Sequence, residues 1–145
     1  MPVKLFSETV AVGTELPAWS RTTNFMHWNR FAAVNDEFMP FHMDDEDGRA
    51  AGNPHGAFGM GNLRFSYMLN ALHDWIGDEA TIHELSCRYR IMNQKGDTLT
   101  VVGKVIDKVI SGELAHIRLA IDVVNQKGES TCPGHAIVVL PSRGT

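Results

Sequence analysis

The residues in this chain best suited to chemistry lie between Asn35 and Asn62, in NDEFMPFHMDDEDGRAAGNPHGAFGMGN. Asp36 and Glu37 come six and five residues before His42, with Pro40 in the interval. Proline removes a backbone donor and disfavours helical geometry at the residue before it, so this stretch reads as a bent loop and not a continuous helix. On such a bend a carboxylate and an imidazole can meet as an acid/base pair. An acidic stretch, Asp44 to Asp47, and a glycine-bearing segment, Gly52 to Gly61, follow before an apolar helix that begins near Gly59. Free N–H groups gather at a helix N-terminus, so the chain order is an acid/base pair and then backbone donors.

The flanking elements must position that stretch. From Ser7 to Trp19, Val10, Val12 and Leu16 alternate with polar residues around Gly13, which predicts a first edge strand and its turn. Thr22 or Thr23 is placed to cap a helix from Phe25 to Val34, where Phe25, Trp28, Phe31, Ala32 and Val34 recur at roughly helical spacing. Asp45 to Ala51 suits one or two further turns, with Asp44 as N-cap and Gly52 at the stop. Gly59 to Ile76 is the strongest helical pattern, and its apolar residues (Met60, Leu63, Tyr67, Met68, Leu69, Leu72, Trp75 and Ile76) cover more than one stripe. Such a helix is enclosed on several sides.

Beyond Gly77 the pattern turns to long strands: Thr81 to Met92, Thr98 to Ile110, Glu113 to Asn125 and Ser130 to Leu140. They are separated by Asn93-Gln94-Lys95-Gly96, Ser111-Gly112 and Gln126-Lys127-Gly128, read as hairpin turns. Ala115, Ile117, Leu119, Ile121 and Val123 face one way while His116, Arg118 and Asp122 face the other, so one side of that strand is wet. Strands of this length imply a strongly curved antiparallel sheet, and one long helix and one curved sheet need each other's apolar face.

Composition narrows the partners. The chain of 145 residues, 43% of them hydrophobic, fits one domain spanning 1–145. The net charge of -4 and the lack of a clustered Lys/Arg run argue against nucleic acid or an anionic membrane, leaving a small ligand or another protein. The first residues show no signal-peptide pattern, and no window reaches the ~18 to 20 apolar residues that span a bilayer, so a cytoplasmic protein is expected. Cys87 and Cys132 have no metal-like spacing and read as reduced thiols; no zinc site is expected. His27, His73, His83, His116 and His135 are scattered without ligand spacing and read as surface or interface residues.

A buried helix wrapped by long antiparallel strands describes the α+β hot-dog fold. The run RFAAVNDEFMPFHMDDEDGRAAG, Arg30 to Gly52, resembles the signature of MaoC-like (R)-specific enoyl-thioester hydratases, a small-residue turn followed by D-F-N-P-hydrophobe-H-hydrophobe-D. The resemblance places Glu37 on the family's catalytic Asp, Phe38 and Pro40 on its Phe and Pro, His42 on its catalytic His and Asp44 on its trailing Asp. It implies hydration of a trans-2-enoyl thioester, or the reverse dehydration, on coenzyme A or a carrier protein, without metal or redox cofactor. Carboxylate and imidazole would grip one water, and the N–H of Gly59, in Phe58-Gly59-Met60, would stabilise the thioester oxygen. Met39, Phe41, Met43 and Phe58 would surround the loop with apolar side chains suited to an acyl chain or ring, and Met60 stands with Gly59 among the expected substrate-binding residues. The family's Asp is here Glu37, its Asn is Met39, and the His before its helix glycine is Phe58; a slip that uses Asp36 as the carboxylate stays open. The alternatives are a non-catalytic acyl-thioester-binding subunit of a heteromeric hydratase and a thioesterase on the same fold. Uncovered strand edges imply a homodimer or a heteromer of like folds.

Overall fold

The computed structural model describes residues 4–144. Its framework is a five-stranded antiparallel sheet in the order β1-β3-β4-β5-β2. The strands are β1 (Trp19–Thr22), β2 (Thr81–Cys87), β3 (Thr98–Ser111), β4 (Leu114–Val124) and β5 (Gly134–Pro141). The long central strands follow from their patterning, for Ala115, Ile117, Leu119, Ile121 and Val123 are all buried along β4. Bulges between Val105 and Asp107 in β3 and between Ile82 and Glu84 in β2 mark where the register shifts. An extra residue on one strand bends it and adds twist, which curls a sheet around a helix.

Among the described residues the α-helices are α1 (Phe25–Asn35), α2 (Pro40–Met43), α3 (Asp45–Ala50) and α4 (Gly61–Ile76). On α4, Leu63, Tyr67, Met68, Ala71, Leu72 and Ile76 pack into the core shared with the sheet. Asn62, Asn70, His73 and Asp74 leave its other side open. Helix and sheet therefore bury each other's apolar faces, the arrangement expected for the hot-dog fold.

Several local expectations are corrected. Ser7–Thr9 is a short 3₁₀ turn, and the first strand begins only at Trp19, because Gly13 and Leu16 donate their N–H groups to single sites along β3 instead of a ladder. Asn24, not a threonine, caps α1, its side chain accepting from the Met26 N–H at 3.0 Å. The central helix starts at Gly61, two residues later than expected, since Gly59 is drawn into an isolated bridge with Asn93. The segment 93–96 is not a hairpin: β2 pairs with β5, so this loop carries the chain across the sheet to β3.

Candidate active site

The site is assembled where the ends of three helices meet the 93–97 crossover. α1 stops at Asp36, whose φ of 53° is left-handed and turns the chain sharply. Pro40 opens α2, where its missing N–H costs nothing, and that single turn carries His42. Asp44 caps α3 as expected, accepting from the N–H groups of Glu46 at 2.8 Å and Asp47 at 3.2 Å. The following loop is clamped: Asp45 accepts from the Ala57 N–H and pairs with Lys95 at 2.6 Å, while Asn53 bonds both the Gly56 carbonyl and Gln94.

His42 is only 6% exposed and lies edge-on to both Phe41 and Phe58. Its Nδ1 is 2.6 Å from the Phe58 carbonyl oxygen. A carbonyl can only accept, so Nδ1 carries the proton and Nε2 keeps its lone pair. Burial pushes the His42 pKa below its ordinary 6.5, with the Phe58 carbonyl and the Glu37 charge opposing that shift and Arg64 adding to it. The result is a neutral imidazole with a basic nitrogen at neutral pH.

Glu37 is the carboxylate whose charge acts on His42, and its Oε2 accepts from Asn62 Nδ2 at 3.2 Å. Asn62 Oδ1 in turn accepts from the Tyr89 hydroxyl at 3.0 Å. Burial is the main reason that the Tyr89 phenol is pushed up to about 12, so it stays a donor and fixes the orientation of the Asn62 amide. Asp36 is exposed at the α1 cap and has no part in this chain of bonds.

A cavity of about 210 Å³ adjoins His42, walled by Phe58, Gly59, Gly61, Arg64 and the segment Tyr89–Met92. Arg64 is 3% exposed and directs Nη1 to the carbonyls of Ile91 at 2.6 Å and Thr131 at 3.1 Å. Its buried Nε has no partner among the described residues. A larger cavity of about 790 Å³ opens between residues 15–18 and strands β3 to β5, but neither His42 nor Glu37 lines it.

Some expected roles are not met. The Gly59 N–H is spent on the Asn93 carbonyl at 2.7 Å and is not free for a thioester oxygen. The free donors belong instead to the first turn of α4, which has no side-chain cap and places Gly61 on the cavity wall. Met60 is fully buried in the core and does not line the cavity. Met39 is 44% exposed and Phe41 stacks on Phe58, with Phe58 alone of those two rings on the wall. Asn62, Arg64 and Tyr89 were not singled out from the sequence. Arg64 left a signal, because it shares the i, i+4 stripe of Met60 and Met68 on an apolar helix.

No family model and no curated protein matches the chain in sequence. Solved structures do match it in fold. The (R)-hydratase from A. caviae involved in PHA biosynthesis is 22% identical with a TM-score of 0.81, over 93% of this chain and 100% of that one. A MaoC-like dehydratase from Rhodospirillum rubrum is 24% identical with a TM-score of 0.80, over 97% and 99%. The ChsH1-ChsH2 complex from Mycobacterium tuberculosis matches at 20% identity and a TM-score of 0.77, over 90% and 98%. The fold is thus the hot-dog fold of these MaoC-like dehydratases and (R)-hydratases. Among the described residues no group of His, Cys, Asp and Glu could hold a metal ion, and no helix is long and apolar enough to cross a membrane.

Proposed function

We propose that the chain is a single MaoC-like hot-dog domain, 1–145, that hydrates a trans-2-enoyl thioester to a 3-hydroxyacyl thioester or runs the reverse dehydration. The observation that carries the reading is the His42 tautomer: Nδ1–H bonded to Phe58 leaves a basic Nε2 in a site that also has the oriented Glu37. In the proposed reaction a water gives one proton to Nε2 while its other O–H, which stays on the oxygen, donates a hydrogen bond to Glu37. Its oxygen bonds to C3, and the electron pair moves through C2 to the thioester oxygen. The uncapped α4 turn at Gly61 and the nearby Arg64 cation favour that enolate. The proton on His42 then passes to C2 and restores the thioester. No metal or redox step is needed.

The occupied Gly59 N–H favours a second reading, an acyl-thioester-binding subunit that depends on a catalytic partner. In either reading coenzyme A or a carrier protein presents the substrate in the cytoplasm. A second hot-dog chain, identical or not, covers the β2 edge together with Tyr89, Ile91 and Met92, which are large and exposed beside the cavity. The test is crotonyl-coenzyme A: loss of enoyl absorbance without free thiol marks a hydratase, thiol release a thioesterase, and binding without turnover a non-catalytic subunit.

A further inference from the structure

A second cavity, of about 490 Å³, lies between β1, α1 and α4. Its wall carries Arg21, Arg30 and His27, with hydrogen-bonding groups from Ser66, Tyr67 and Asn70, and no aspartate or glutamate. In a chain of net charge -4 that lining runs against the overall balance.

Both arginines are exposed, and Arg21 is held against neighbouring groups. The Arg21 guanidinium lies 3.9 Å over the Trp19 ring and donates to the Ser20 carbonyl at 2.8 Å. Trp19 is braced by the Tyr67 ring at 5.1 Å and by its own indole N–H on Asp74 at 3.1 Å. Asp74, the nearby carboxylate, is thus turned to Trp19. Arg30 contacts the Met26 sulfur at 3.9 Å, and among the described residues neither arginine forms an ion pair. A guanidinium stacked on an aromatic face has already lost much of its side-chain freedom and keeps its N–H fork for a carboxylate. His27 Nδ1 is engaged by Asn24 Oδ1 at 3.1 Å, and its Nε2 has no hydrogen-bond partner among the described residues.

The cavity is linked to the proposed site along the chain. Asn35 on its wall directly precedes Asp36 and Glu37, and Leu63 on its wall follows Asn62, which holds Glu37. We propose that this cavity is an acyl subsite for a terminal carboxylate, so that the preferred substrate class is the monothioester of an unsaturated dicarboxylic acid. The proposal rests on the hydratase reading only for the word unsaturated. Arg21 and Arg30 take the carboxylate in charge-assisted hydrogen bonds, and the Tyr67 and Trp19 rings flank the chain that leads to it.

Binding without turnover tests the subsite independently of the chemistry. Adipyl-coenzyme A and hexanoyl-coenzyme A differ by one carboxylate, and calorimetric titration of the full chain is expected to show adipyl binding about tenfold tighter at low salt. Arg21→Gln and Arg30→Gln should each remove most of that preference and leave hexanoyl affinity within about twofold. The same pair as N-acetylcysteamine thioesters, which lack the nucleotide phosphates, should keep the preference. Equal affinity for the two acyl groups overturns the proposal. So does equal loss of both ligands in the variants, which would assign the arginines to the coenzyme A phosphates. Comparing trans-2-hexenedioyl- with trans-2-hexenoyl-coenzyme A then reads turnover. If neither is hydrated while the adipyl preference holds, the hydratase reading fails and the subsite stands.

Discussion

Asn62 donates to the Glu37 carboxylate at 3.2 Å, so the second residue of the central helix orients the acid that follows the first helix. The amide is itself aimed by Tyr89. Removing the donor in Asn62→Ala should lower kcat/KM about tenfold, the worth of a hydrogen bond to a charged group. Asn62→Asp should be worse, because two carboxylates at that spacing cannot both ionise easily. Tyr89→Phe should cost less than either. Steady-state hydration rates on crotonyl-coenzyme A give the ranking, and equal rates in all three variants would remove Asn62 from the site.

His42→Ala should lower the hydration rate by about two to four decades, as for a positioned acid/base. Glu37→Gln should be comparably severe and Asp36→Asn mild, because Glu37 and not Asp36 is held by Asn62. The histidine is not a loosely held loop residue, since it is buried between two rings and bonded to the backbone. Its truncation should therefore also cost about 1 to 2 kcal/mol of stability. Thermal melts beside the kinetics separate the two effects. If Asp36→Asn proves severe and Glu37→Gln mild, the carboxylate assignment moves to Asp36.

Elements set by local pattern were legible in the sequence. The two-residue alternation from Ala115 to Val123 gave β4, and the wide apolar surface from Leu63 to Ile76 gave α4. The bend at Pro40 correctly kept Glu37 and His42 out of one helix. Contacts between distant segments were not legible. Tyr89 reaches Asn62 from 27 residues away, and Arg64 is tied to Thr131 from 67. Neither spacing leaves a periodic trace. The same holds for the Gly59 N–H, whose capture by Asn93 depends on how the crossover lies against the start of α4.

The pH dependence follows from His42. Its folded pKa is lowered from 6.5, first by burial, so the neutral base is already formed at pH 7. Activity should be flat there and fall only as pH drops through the folded value, below 6.5. The same linkage makes its stability contribution fully present above 6.5 and lost as pH falls through the folded value, because the unfolded state binds the proton more readily. Arg64→Met removes a cation that helps to lower that pKa, so the acid limb of kcat/KM should move up in pH. It also strips a donor from the Ile91 and Thr131 carbonyls, at a cost of about 1 to 3 kcal/mol. NMR titration of the His42 ring checks the direction; an unmoved or lower pKa in the variant would contradict it.

Gly59 and Gly61 should respond to alanine in opposite ways, although two residues apart. A methyl on Gly59 would overlap Asn93 Oδ1 and lie 2.7 Å from Trp28 Nε1. Both neighbours are fully buried, and Asn93 Oδ1 also accepts from Thr23, so neither can move cheaply. Gly59→Ala should lose about 1 to 3 kcal/mol of stability as an overpacked site. A methyl on Gly61 would overlap the Tyr89 ring, which supplies its three nearest neighbours and is 49% exposed in the single chain, so the ring has to swing away. That swing breaks the Tyr89 bond to Asn62 and releases the amide that orients Glu37. Gly61→Ala should therefore melt within about 0.5 kcal/mol of the parent, helped by alanine's helix propensity, yet lose activity to about the level of Tyr89→Phe. Combining the two substitutions gives the decisive comparison. If Gly61 acts through Tyr89, Gly61→Ala adds no further loss to Tyr89→Phe, whereas additive losses would mean that the methyl itself intrudes on the bound thioester.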